Sequence, residues 1–253
     1  MNKKYNVMSD EEKIKLVLKD PFNIRDIKRP SKLLQTLAVS KNPEVIRYIK
    51  NPSSEVQICA FNKSEYIIHH LTHVCKELQI LIATSEDYDP TLFGLIDADD
   101  VCDEAEIAFV RRNPENIRLL EDPCEEAQLI AVRANGLLIG EISHIEGTTH
   151  DVQLEAVRQN CSAGLLINDY DMELKDDEYR RIELDDNKYL CAVKMPNGEW
   201  RYARDTERDY DYGKNKSAEE LLDFLEHKCC FGDNTSYIKY LQDIINKTKE
   251  GNE

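Results

Sequence analysis

Hydrophobic and polar positions recur along this chain with a period of about 22 residues. The 20 residues that begin at Asn42 match the 20 that begin at Asn113 in residue type along their whole length. Glutamine marks one position of the period, at Gln35, Gln57 and Gln79, each 22 residues apart. The same position continues at Glu106, Gln128 and Gln153. A fixed period in this range indicates a stack of short structural repeats.

Each repeat is predicted to consist of two short helices. Asn42 can cap a first helix that begins with Pro43, and Pro52 ends that helix because proline lacks the N–H that the next turn requires. Ser53 can then cap a second helix. The two apolar stripes are Val45, Ile46, Ile49, Val56, Ala60 and Phe61. Neither helix is long enough to be stable alone, so neighbouring repeats must bury these stripes against one another.

The period divides the chain into six repeats and a half repeat. We expect repeats at residues 20–41, 42–63, 64–86, 87–112, 113–134 and 135–159, with the half repeat at 160–168. Residues 1–19 are expected to form a capping helix, because Ser9 precedes three acidic residues and an apolar stripe.

The recurring pattern N-P-x-x-I-x-x-I-x-x-P-S-x-E-x-Q-x-x-A-V-x-x-N resembles the short HEAT-like helical repeats of many phage and bacterial proteins. The resemblance covers about residues 20–168. It implies a mainly α fold, a right-handed α-solenoid over residues 1–168. It implies no shared chemistry, and it suggests a phage setting in which small acidic proteins often inhibit host defence.

The period is lost after residue 168, and residues 169–253 are predicted to form a small α+β domain. Pro196-Asn197-Gly198 separates two strand-like runs, which indicates a β-hairpin. Ser217 is expected to cap a helix, and a last helix is predicted over about residues 235–248. This domain can cover the apolar end of the repeat stack.

The net charge of the 253 residues is −16. Residues 1–40 hold nine basic and five acidic side chains, a net +4, which leaves −20 for the rest. A surface of this sign repels nucleic acid and attracts basic proteins or the basic grooves of proteins that bind nucleic acid. We therefore expect a basic protein partner, such as a host nuclease or its nucleic-acid groove, rather than nucleic acid itself.

The eight cysteines contain no C-x-x-C pair and sit singly in helical patterns, which favours reduced packing residues. No apolar stretch approaches the ~18 residues of a membrane span. These features predict a soluble cytoplasmic protein, in the host cell cytoplasm if it is phage-encoded, without a membrane partner. An uncapped end of the repeat stack would favour a homodimer.

The first candidate partner-binding site is the acidic insertion that lengthens the fourth repeat, at Asp97, Asp99, Asp100 and Asp103. It lacks the glycine and the closing glutamate of a calcium loop. Two interpretations stay open. One is a solvated turn that leads into a helix, and the other is a docking face for a basic partner, because loops that interrupt a scaffold often carry function.

Residues 169–186 contain nine acidic side chains against three basic ones, and Asp176, Asp177 and Glu178 are the candidates within them. The segment is either a flexible acidic linker or a mimic of a phosphate backbone that occupies Lys/Arg sites on a partner.

Trp200, Tyr202, Tyr210 and Tyr212 crowd one segment beside three arginines. Such side chains dominate binding hot spots, and they are equally suited to the core of a small hairpin.

His69, His70, His73 and Cys75 have metal-ligand types, but the alignment of repeats assigns them to ordinary repeat positions, so no metal site is predicted. The chain contains none of the common catalytic or phosphate-binding motifs, so we expect no enzyme and no cofactor.

The leading hypothesis is a protein–protein interaction scaffold, a phage-type acidic inhibitor of a nucleic-acid-handling host defence protein, similar to an anti-CRISPR or anti-restriction protein. The alternative is binding of nucleic acid or a small ligand by the concave repeat surface and the basic N-terminal segment.

Overall fold

The computed structural model describes residues 8–142, 148–168, 172–184, 188–204, 215–228 and 233–250. Within them the chain is mainly helical, with many short helices and a three-stranded antiparallel sheet near the C-terminus. The chain forms two compact units, Met1–Arg112 and Asn113–Glu253. The predicted domain boundary after residue 168 falls inside the second unit and stays a prediction. No helix among the described residues is long and apolar enough to cross a membrane.

In the first unit, each predicted repeat holds a 3-10 helix followed by an α-helix. The α-helices are α1 (Asp10–Lys19), α2 (Lys32–Lys41), α3 (Ser54–Phe61), α4 (Lys76–Thr84) and α5 (Asp103–Arg112). The 3-10 helices are Pro21–Asp26, Pro43–Tyr48, Glu65–His70, Pro90–Leu95 and Ala98–Asp100. The last of these is the extra element that lengthens the fourth repeat.

The second unit continues this alternation and then forms the sheet. Its α-helices are α6 (Glu125–Ala134), α7 (Ile139–Ile142), α8 (His150–Gln159), α9 (Ala218–His227) and α10 (Thr235–Glu250). Its 3-10 helices are Pro114–Leu119, Gly136–Leu138 and Cys161–Leu165. Its strands are β1 (Tyr179–Leu184), β2 (Lys188–Lys194) and β3 (Trp200–Arg204).

The helix starts follow from the capping residues that the sequence places there. Asn42 Oδ1 accepts a hydrogen bond from the Glu44 N–H at 3.0 Å, and Pro43 occupies the first helical position. Ser9 and Glu12 form the reciprocal capping box of α1, which confirms the predicted start of the capping helix. Ser53 is the N-cap of α3 as predicted, but its side chain makes no capping hydrogen bond.

The apolar stripes of each repeat meet in the core of the first unit. Val45, Ile46, Val56, Ala60 and Phe61 are all buried, as the pattern predicts. In the fourth repeat, the Phe93 and Phe109 rings stack with their centroids 4.3 Å apart. This stack fixes the 3-10 helix Pro90–Leu95 on α5.

The sheet has the strand order β1-β2-β3, and the predicted hairpin joins β2 to β3. The turn closes through the Gly198 N–H, which donates to the Met195 carbonyl at 2.9 Å. Gly198 has φ +86°, a left-handed conformation that glycine adopts without steric cost. The capping box of Ser217 and Glu220 starts α9, and α10 occupies the position of the predicted last helix.

The interpretation of residues 169–186 as one acidic linker is wrong for residues 179–184. These residues form β1, which pairs antiparallel with β2 in the register Arg181↔Cys191. Ile182 and Leu184 pack against the cluster formed with α9 and α10. On the other face, Tyr179 is buried and lies against Gly164 in the preceding 3-10 helix. Residues 179–184 themselves hold two arginines and one glutamate, so strand pairing, and not the acidity of the residues around them, determines their structure.

Candidate protein-binding site

The acidic turn, residues 97–103, connects the 3-10 helix Pro90–Leu95 to α5. Asp97 caps the extra 3-10 helix, since its Oδ1 accepts a hydrogen bond from the Asp99 N–H at 3.2 Å. Asp97, Asp99 and Asp103 are exposed, and Asp100 is half-buried. The sequence thus places a capped, ordered segment here, which carries its carboxylates on the protein surface.

The Gln79 side chain holds the acidic turn in place through hydrogen bonds to its backbone. It is buried in α4, and its Nε2 donates to the carbonyls of Val74 and Asp100, both at 2.8 Å. Its Oε1 accepts from the Cys102 N–H at 2.9 Å. A buried amide that satisfies three backbone groups fixes the path of the chain between Asp100 and Cys102.

The same bond recurs along the glutamine positions. Gln57 Oε1 accepts from the Cys75 N–H at 2.9 Å, and Gln153 Oε1 accepts from the Glu173 N–H at 2.8 Å. Each glutamine therefore joins its own repeat to the next segment within its unit. Sequence reasoning found the glutamine period but missed this role, because the partners are backbone atoms that the pattern does not reveal.

Two carboxylates in and beside the acidic turn already have a side-chain partner. Asp100 pairs with His73 Nδ1, and Glu104 pairs with Lys76 Nζ at 2.5 Å. The hydrogen bond from Lys76 lowers the pKa of Glu104. Asp97, Asp99 and Asp103 make no ion pair within described residues 8–112. Three charges of this turn are thus left for solvent or for a partner.

The histidine cluster is distributed among other contacts. The rings of His69 and His70 lie 5.0 and 5.4 Å from the Tyr66 ring, centroid to centroid. His73 pairs with Asp100, and Cys75 is the N-cap of α4. These placements match ordinary repeat positions.

In the second acidic candidate, residues 176–178, the carboxylates have two different environments. Asp176 and Asp177 are exposed in the turn before β1. Glu178 is half-buried, and its Oε2 contacts His150 Nε2 at 2.9 Å and accepts from the Lys175 N–H at 3.1 Å. Glu178 therefore has a structural role inside the second unit, whereas Asp176 and Asp177 present their carboxylates to solvent.

The predicted aromatic residues of the binding hot spot also have different environments. Tyr202 is half-buried and packs against the cluster of α9 and α10, so it belongs to the core of the hairpin. Trp200 carries the Arg180 guanidinium over its ring, 4.5 Å from the centroid. Tyr210 and Tyr212 lie outside the described residues.

Comparison with family models, with curated proteins and with solved structures finds no match to this chain. The resemblance to HEAT-like repeats stays a prediction.

The pair of His150 and Glu178 predicts a pH-dependent contribution to stability. The hydrogen bond to Glu178 raises the pKa of His150 above its usual 6.5, and the hydrogen bond from His150 lowers the pKa of Glu178 below its usual 4.5. The stabilisation from His150 is complete below pH 6.5 and is lost as pH rises through its raised pKa. That from Glu178 is present above pH 4.5 and is lost as pH falls through its lowered pKa.

We therefore expect His150→Gln and Glu178→Gln each to reduce the free energy of unfolding most between about pH 4.5 and 6.5. Urea unfolding from pH 4 to pH 9 measures this, and the double variant should cost less than the sum of the single variants. A loss that does not change with pH would contradict the pairing.

Proposed function

We propose that the chain is a protein–protein interaction scaffold that binds a basic protein through the acidic turn. The observation that carries the proposal is the set of three exposed carboxylates, Asp97, Asp99 and Asp103, without ion pairs in the described part of the first unit. They lie on a segment that Gln79 and the Asp97 cap hold in place. Fixed charges bind a partner with a smaller entropic cost than mobile ones.

We also propose that the repeats form a right-handed α-solenoid, as the resemblance implies. The alternation of 3-10 and α-helices supports it, as do the glutamine bonds between successive segments of each unit. A stack of this kind presents equivalent positions of successive repeats on one surface, which suits recognition of an extended partner.

The partner that the charge favours is a basic protein that handles nucleic acid. Carboxylates on a rigid segment can occupy Lys/Arg sites that otherwise neutralise phosphates, so binding here would compete with nucleic acid. Inhibition of a host defence protein in the cytoplasm is the form of this proposal that the phage-type resemblance suggests.

Neutralising the acidic turn tests the proposal. Asp97→Asn, Asp99→Asn and Asp103→Asn combined should weaken binding about tenfold or more at low salt, because each exposed pair contributes roughly 0.2–1 kcal/mol and 1.4 kcal/mol is tenfold. The measurement is a tagged pull-down from nuclease-treated bacterial lysate, eluted in steps of rising salt and read by mass spectrometry.

The matched control is Asp176→Asn with Asp177→Asn, which removes exposed carboxylates from the other acidic candidate. The proposal requires the control to retain the partner at the salt concentrations at which the unaltered chain does. Equal elution of the partner from all three proteins would refute it, and recovery of nucleic acid alone from untreated lysate would favour the ligand-binding alternative.

A further inference from the structure

Three successive 3-10 helices of the first unit each expose a large apolar side chain. Tyr48 is 42% exposed, Tyr66 is 60% exposed and Leu95 is 47% exposed. They belong to three successive 3-10 helices, Pro43–Tyr48, Glu65–His70 and Pro90–Leu95, which pack side by side. Single exposed apolar residues are ordinary, but a run on consecutive repeats indicates an interaction surface.

Two of these side chains, Tyr66 and Leu95, occupy positions equivalent to those of two rings that are in contact in the preceding repeats. Phe22, the second residue of its 3-10 helix, contacts Tyr48, the last residue of the next one, with ring centroids 6.2 Å apart. Tyr66 and Leu95 occupy the same second and last positions in the following pair of helices. The two 3-10 helices of this pair also pack against each other, so Tyr66 and Leu95 lie on neighbouring helices at the positions of Phe22 and Tyr48.

The first of these two pairs already shows how an arginine binds there. Arg47 lies over the Tyr48 ring, 5.5 Å from its centroid, and its Nη2 contacts Glu44 Oε2 at 2.5 Å. The guanidinium is thus bound by an aromatic face and a carboxylate together.

The second pair offers an aromatic ring on one helix and carboxylates just beyond the other, without a guanidinium. At the positions of Arg47 and Tyr48 it has Gly94 and Leu95, so its 3-10 helix Pro90–Leu95 supplies no arginine of its own. No Lys or Arg lies over the Tyr66 ring among the described residues. Two residues beyond Leu95 the chain reaches Asp97 and then Asp99, both exposed and without ion pairs in residues 8–112. The charge and the apolar surface here complement an arginine side chain from outside.

We propose that Tyr66, Leu95, Asp97 and Asp99 form a docking surface for an arginine in a segment of the protein partner. The guanidinium lies on the Tyr66 ring and faces the two carboxylates, and the methylene stem packs on Leu95. This inference rests on the proposed function, because it names the chemistry that the acidic turn and its apolar neighbours recognise.

The test is an NMR titration of the isotope-labelled full chain with a short glycine–serine peptide that carries leucine–arginine–leucine at its centre. A second peptide contains citrulline, a neutral isostere, in place of arginine. We expect saturable binding of the arginine peptide and at least a threefold larger Kd for the citrulline peptide. Equal binding of the two peptides overturns the inference.

Variants then locate the site. Tyr66→Ala should raise the Kd of the arginine peptide about twofold to fivefold, since a cation–π contact at an exposed site is worth roughly 0.5–1 kcal/mol. Tyr66→Phe keeps the ring and should bind as the unaltered chain does. Leu33→Ala is the matched control, because Leu33 is also 60% exposed but lies on α2. A Tyr66→Ala protein with an unchanged Kd overturns the inference.

Asp97→Asn with Asp99→Asn separates the two proposals. If this variant binds the arginine peptide more weakly while Tyr66→Ala binds it as the unaltered chain does, the acidic turn remains the site and the arginine docking surface is rejected. Unchanged binding in the aspartate variant would reject the acidic turn, and with it the proposed function.

Discussion

Gln79→Leu is expected to lower the free energy of unfolding of the first unit by about 2–4 kcal/mol, because it leaves one buried and two half-buried hydrogen bonds to backbone groups unmade. The leucine is close to glutamine in volume, so packing is nearly preserved and the loss reports the hydrogen bonds. The groups concerned are the carbonyls of Val74 and Asp100 and the N–H of Cys102. Urea unfolding followed by circular dichroism measures the loss, since the chain's single tryptophan, Trp200, lies in the second unit.

Gln35→Leu is the control for this prediction. Gln35 is half-buried, and its Nε2 donates to the Pro30 carbonyl at 2.8 Å. We expect a loss of about 1 kcal/mol, in line with one ordinary hydrogen bond. The Gln79 variant should also exchange the Cys102 amide hydrogen faster than the unaltered chain. Equal losses in the two variants, with unchanged exchange at Cys102, would mean that Gln79 does not hold the acidic turn.

Gly136→Ala is expected to destabilise the second unit by about 1–3 kcal/mol through overpacking. A Cβ at Gly136 would lie 2.3 Å from the Ala156 carbonyl oxygen and 2.9 Å from Gln159 Oε1. The first of these atoms belongs to the backbone of α8, so it cannot move aside as a side chain can. The 3-10 helix Gly136–Leu138 must then separate from α8, and Trp200 fluorescence during urea unfolding measures the cost.

Gly140→Ala provides the comparison within the same unit. A Cβ there would lie 3.1 Å from Leu166 Cδ1, the flexible end of a side chain that is 45% exposed. Alanine also favours a helix over glycine by roughly 0.5–1 kcal/mol, so we expect a net change within about 1 kcal/mol. A Gly140→Ala loss as large as that of Gly136→Ala would show that the contact with α8 is not the cause.

The sequence predicts the repeats well because their boundaries depend on local chemistry. Asn42 starts a helix because its side chain accepts a hydrogen bond from a backbone N–H two residues later, and Pro43 fits the first position because it has no N–H that needs a partner. The hairpin turn needs only Asn197 and Gly198. Such signals are complete within a short window of sequence. The period of the apolar residues also predicts which helix faces are buried, and Val45, Ile46 and Phe61 are buried as it predicts.

The features that the sequence does not reveal depend on distant partners. β1 is a strand because β2 pairs with it, although its flanks are acidic. Gln79 matters through backbone atoms more than 20 residues away, at Asp100 and Cys102. In the candidate site, the pattern identifies the carboxylates of the acidic turn but not Tyr66 and Leu95, which are exposed on neighbouring 3-10 helices.

One sequence signal for this apolar surface does exist. Tyr66 aligns with Glu44, which is exposed, so an aromatic residue stands where the repeat tolerates a charge. A large apolar residue at a solvent position indicates binding only where neighbouring repeats also expose one, as Tyr48 and Leu95 do here.

Site-directed photo-crosslinking tests the central claim most directly. A photoreactive phenylalanine analogue at Gly94, which is exposed in the 3-10 helix before the acidic turn, is compared with the same analogue at Leu33 on α2. We predict that the Gly94 position crosslinks to a basic protein in nuclease-treated lysate, that the Leu33 position does not, and that Asp97→Asn with Asp99→Asn weakens the crosslink. A crosslink of equal strength from both positions, or one that is as strong after neutralisation of the acidic turn, would contradict the account.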